Sequence, residues 1–117
     1  MTDSSEFEEA FVAFRSMPYP AYPRLADLQD WNSRLLTLDS HIAGYASRVY
    51  SGHLKARDVP NLDSLVFESG SLKASLEVIQ PVSDQDVRLI DDYRSYAAAL
   101  ERLTIELAKC ASRENNI

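Results

Sequence analysis

The stretch Leu89-Ile90-Asp91-Asp92-Tyr93-Arg94-Ser95-Tyr96-Ala97-Ala98-Ala99-Leu100-Glu101-Arg102-Leu103-Thr104-Ile105-Glu106-Leu107-Ala108-Lys109-Cys110 decides the fold. Leu89, Tyr93, Tyr96, Leu100, Leu103, Leu107 and Cys110 recur three and four residues apart, the spacing that stacks side chains on one face of an α-helix. A second line, Val87, Ile90, Ala97, Ile105 and Ala108, runs beside the first. A face this broad touches two neighbours at once, which places the segment centrally. Leu28, Trp31, Leu35, Leu38, Ile42, Tyr45 and Val49 repeat the register upstream, and Leu62, Leu65, Ser69, Leu72, Leu76 and Ile79 repeat it between. An isolated helix is marginal in water and persists by burying such a stripe. The expected fold is therefore all-α: an up-down antiparallel bundle of three main helices plus a short N-terminal helix. The last helix is expected to pack antiparallel against both the second and the third.

Breakers set the boundaries. A short helix is expected over 5–17, capped by Ser4 or Ser5, with Glu6, Glu8 and Glu9 at its positive end and Phe7, Phe11 and Phe14 on one face. It either closes the bundle as a fourth member or docks on another chain. Pro18, Pro20 and Pro23 make 18–23 a stiff connector, and Pro23 suits the first position of the second helix. That helix should run to Tyr50 or Ser51, with Gly52 as its stop. Gly44 inside it implies a close neighbour or a slight kink. Residues 52–61 read as a loop, after which Asn61 or Asp63 caps a third helix near 61–80. Ser69 and Gly70 mark where that helix would break in two, if it breaks. Ser83-Asp84-Gln85-Asp86 resembles a capping box, with Asp in the usual place of Glu or Gln. The last helix should end near Ala111, leaving Ser112 to Ile117 frayed. The whole reads as one domain, 1–117, with the bundle over 24–111.

Composition narrows the function classes. At 117 residues, 45% hydrophobic and 26% charged, the chain has the makings of a packed core. No apolar run reaches the roughly 18 residues needed to span a bilayer, and the polar, acidic N-terminus is unlike a secretory leader, so a cytoplasmic protein without a membrane partner is expected. A net charge of −6 argues against duplex nucleic acid and favours a basic partner. Cys110 is the one cysteine and reads as a small buried hydrophobe.

Motifs for chemistry are sparse. The two histidines, His41 and His53, form no HExxH, and neither ExxH nor a glycine-rich phosphate loop occurs. Asp27 with Asp30, and Asp91 with Asp92, lie off the apolar stripes and read as solvated. No metal and no cofactor is expected. Arg48-Val49-Tyr50-Ser51-Gly52-His53 resembles the Rx4–6H motif of HEPN-type ribonucleases, which are small α-helical proteins. That resemblance implies an RNA cleft between two protomers, with Arg48 binding phosphate and His53 assisting the 2′-OH chemistry. Its departures are Gly52, which should end the helix before His53, and the acidic chain.

Trp31, Tyr45, Tyr93 and Tyr96 occupy stripe positions and belong to the core. Tyr19 and Tyr22 belong to no helical face. Held between prolines, they either lid the bundle end or anchor a partner at low entropic cost. The expected function is a non-enzymatic protein-binding bundle: an immunity- or antitoxin-like protein, a phage-type inhibitor, or an adaptor. Its partner-binding residues would be Tyr19, Tyr22, Glu6, Glu8 and Glu9, with none catalytic, and a homo-oligomer remains open. The alternative is the ribonuclease using Arg48 and His53.

Overall fold

A computed structural model describes residues 2–113, with side chains from residue 6 onward. The helices are α1 (Thr2–Arg15), α2 (Ala26–Ser51), α3 (Val59–Ser75) and α4 (Asp84–Arg113). Single 3-10 turns, Ala56–Asp58 and Leu76–Val78, precede and follow α3. The chain is 82% helical, and no strand occurs among the described residues.

The stripes become the core as their spacing requires. Leu28, Trp31, Leu35, Leu38 and Ile42 of α2 are buried, as are Leu62, Leu65, Ser69 and Leu72 of α3 and Leu76 just beyond it. On α4 the buried line runs Leu89, Tyr93, Tyr96, Leu100, Leu103 and Leu107, while Cys110 is only half-buried against it. In the second line Ile90 and Ala97 are buried, whereas Val87 and Ile105 remain exposed.

The expected antiparallel packing of α4 on both α2 and α3 is corrected in one half. Lys73 bonds Glu101 and Glu77 bonds Arg94, so α3 and α4 are antiparallel. Trp31 meets Tyr93 and Asp39 meets Tyr96, so α2 and α4 run the same way. Two short connections reverse the chain twice and restore its direction. The first helix joins its own bundle: Phe14 packs on Tyr96 and Glu9 pairs with Arg102, antiparallel to α4, while Phe7 and Phe11 contact Tyr50 of α2.

Several boundaries shift. α1 starts at Thr2, so Ser4 and Ser5 lie inside it rather than at its cap. α2 opens at Ala26, three residues beyond Pro23, where the Gln29 side chain donates to the Pro23 carbonyl at 3.0 Å. Gly52 stops α2 as expected, at φ 76°, a conformation that costs residues with a Cβ. The 52–61 loop is shorter than its sequence suggests, because Asp58 accepts from the Lys55 N–H at 2.9 Å and winds a 3-10 turn directly into α3. Asn61 and Asp63 therefore lie within α3 and cap nothing. α3 runs unbroken through Ser69, whose hydroxyl donates to the Val66 carbonyl at 2.9 Å. A Cβ on Gly70 would stand 2.7 Å from the Glu101 carboxylate, so glycine here admits the Lys73–Glu101 pair. At the start of α4 the Ser83 hydroxyl accepts from the Asp86 N–H at 3.1 Å, and the Asp86 carboxylate reaches back to the Val82 N–H at 3.0 Å. α4 continues helical through Ser112 and Arg113; the rest of the expected frayed tail lies outside the described residues.

Gly44 has no close neighbour: nothing lies within 4 Å of a Cβ built there. Gly44→Ala should therefore stabilise the protein by about 0.5–1 kcal/mol, the helix-propensity difference. Urea unfolding of dilute protein measures it; a loss of stability would mean that the open space is filled.

Candidate functional site

The proline–tyrosine connector folds over the end of the bundle where α2 and α4 begin. Tyr19 lays its ring edge-on to Tyr96, with centroids 5.0 Å apart, and its hydroxyl donates to Asn32 Oδ1 at 2.5 Å. The Tyr93 hydroxyl donates to the same oxygen at 3.0 Å, and that of Tyr96 donates to Asp39 at 2.7 Å. Burial, reinforced by Asp39, pushes the Tyr19 hydroxyl up to about 12. Burial also raises Tyr93, helped by Tyr19 and Tyr22. Tyr96 is raised by burial and by its hydrogen bond to Asp39. Tyr19, though still 39% exposed, is thus seated as a lid.

Tyr22 is not. It is 72% exposed and shares a hollow of about 550 Å³ with Val82, itself 78% exposed, on the loop before α4. Val78, three-quarters exposed, ends the 3-10 turn that leads into that loop. The hollow also holds Arg24, Asp86, Arg88 and Asp92. Residues 18–30 and 76–92, the segments at this end, carry seven carboxylates against two arginines. Two of the seven, Glu77 and Asp91, are paired with Arg94.

Glu6, Glu8 and Glu9 are exposed on α1 but do not join Tyr19 and Tyr22. Glu9 lies 3.6 Å from Arg102, whereas Tyr22 shares its hollow with Leu89. Those two α4 positions are about 20 Å apart along the helix at 1.5 Å per residue.

Arg48 and His53 are both exposed. The Arg48 guanidinium lies over the Tyr45 ring, 4.7 Å from its centroid, and 3.3 Å from Asp58. The His53 Nδ1 lies 3.0 Å from the Ser51 hydroxyl. Asp27, Asp30, Asp91 and Asp92 are exposed. Among the described residues no three His, Cys, Asp or Glu side chains group as a metal site would require.

Sequence reasoning missed Asn32, the acceptor that two tyrosines share. Its signal was present: Asn32 falls in the register between Leu28 and Leu35, where a polar side chain needs an internal partner. It also missed the exposure of Val78, which falls in the expected third helix and ends a 3-10 turn, and of Val82 in the connection to α4. Comparison with protein-family models, curated proteins and solved structures finds no match to the chain. Among the described residues no helix is long and apolar enough to cross a membrane.

Proposed function

We propose that the chain is a non-enzymatic protein-binding bundle, most concretely a cytoplasmic inhibitor or adaptor of the immunity, antitoxin or phage type. It would mask a basic partner through the Tyr22 end. The observation that supports this reading is the joint exposure of Tyr22 and Val82 on the walls of one hollow, in a region whose chain segments are rich in carboxylates. A rigid aromatic beside an apolar neighbour is the usual anchor of an interface, and surrounding carboxylates steer a basic surface toward it. The ribonuclease alternative draws no comparable support, since Arg48 is already engaged by Asp58 and Tyr45.

The experiment is capture of partners from the native host on immobilised wild-type protein and on Tyr22→Ala. A basic protein retained by the wild type should be lost or weakened about tenfold by Tyr22→Ala, at unchanged thermal stability. Its association should slow as salt rises. Tyr19→Ala should instead lower stability, because Tyr19 bonds Asn32. Identical retained proteins on the wild type and Tyr22→Ala would overturn the assignment of this end.

A further inference from the structure

A groove of about 1080 Å³ opens between α2 and α3, from Ser33 to Arg48 on one side and from Asn61 to Ser75 on the other. The helices are tied together at its two ends. There the Trp31 indole N–H donates to the Leu72 carbonyl at 2.8 Å, and Arg48 meets Asp58 at 3.3 Å. Between those ties the floor is Leu38, Leu65 and Leu72, and small residues, Ser33, Ser40 and Gly44 from α2 and Ser64 and Ser71 from α3, alternate on the walls with longer side chains. The small positions leave gaps into which side chains of another helix can fit. Phe67 stands 76% exposed on the rim.

The charges divide by wall. Arg34 and Arg48, with the imidazole of His41 between them, line the α2 side, and Glu68 lines the α3 side. Glu68 is one turn from Leu72, which is bonded to Trp31. That sets Glu68 level with roughly the turn of α2 that follows Trp31, between Arg34 and His41.

We propose that two copies of this chain associate through this groove, related by a two-fold axis running along it. The operation keeps the level along the axis and exchanges the walls, so α3 of each copy lies antiparallel on α2 of the other. Glu68 then meets Arg34 and His41 of the second copy, twice over, and each Phe67 moves out of water against the opposing α2. A foreign helix carrying one sign of charge would satisfy one wall and oppose the other; a second copy satisfies both. This face is separate from the Tyr22 end and does not depend on the function proposed for that end.

Sedimentation velocity over about 1–100 μM tests it. Wild-type protein should show a reversible monomer–dimer equilibrium in that range. Glu68→Arg and Phe67→Ser should each weaken it about tenfold or more. Both positions are exposed, so helicity by circular dichroism should stay at the wild-type level. Arg34→Glu combined with Glu68→Arg should regain affinity over Glu68→Arg alone. A monomer at every concentration overturns the proposal, as does a dimer indifferent to both single changes. A double variant no tighter than Glu68→Arg overturns the two-fold geometry.

Discussion

Leu100→Ala and Leu103→Ala are each expected to lower unfolding free energy by about 2–5 kcal/mol, the range for truncating a leucine in a closed core. Leu100 is 0% exposed and Leu103 is 2% exposed. α4 packs on both α3 and α1, so the space left by a lost isobutyl group is walled by more than one helix and collapses poorly. The exposed Ile105, on the same helix, is the control and should cost less than about 1 kcal/mol when truncated. Denaturant titration reads all three. A loss below about 1 kcal/mol at both leucines would mean that the α4 stripe does not face the core.

Alkali is expected to unfold the protein cooperatively, through the tyrosines under the connector. Tyr19 rises from 10.0 to about 12, and Tyr93 and Tyr96 rise by the same dominant cause, burial. For an acid whose folded pKa exceeds its unfolded one, the stabilisation is complete below the unfolded value and disappears as pH climbs through the folded one. The window therefore opens near pH 10 and extends to about 12 for Tyr19, with the other two persisting beyond it. Tyrosinate absorbance should lag for these three side chains and then appear together with the loss of helical circular dichroism. Asn32→Ala should bring that transition to lower pH, because it removes the acceptor that Tyr19 and Tyr93 share and leaves Tyr93 only the longer 3.4 Å contact with the Ala21 carbonyl, at a cost of about 1–3 kcal/mol. Smooth, independent titration of every tyrosine with helicity intact would contradict the network.

The fold was legible because its determinants are periodic. Leucines at the 3-and-4 spacing of α2, α3 and α4 are where the core lies, and Gly52 ends α2 as a left-handed stop should. What was not legible depends on contacts across the chain. Gly70 looked like a helix breaker, since nothing nearby in the sequence announces the Glu101 carboxylate above it. Pro23 suited a helix start, yet it is buried three residues upstream of one. Tyr19 and Tyr22 looked equivalent between their prolines. Three residues of stiff connector turn one ring onto Tyr96 and leave the other in solvent. The acidic residues of α1 seemed natural companions of those tyrosines, but proximity in sequence is undone by a helix that carries them to the other end.

Trp31 is the one tryptophan of the chain. Its indole is buried, rests on Tyr93 of α4 at 4.9 Å between centroids, and donates to Leu72 of α3. The single indole therefore stands where three helices meet, in a buried surround that holds its emission toward the blue. It reports the joint integrity of α2, α3 and α4, while among the described residues α1 contributes none of its ring or hydrogen-bond partners. Detachment of the N-terminal helix alone would leave the colour of that emission nearly unchanged, whereas opening of the central junction would redden it.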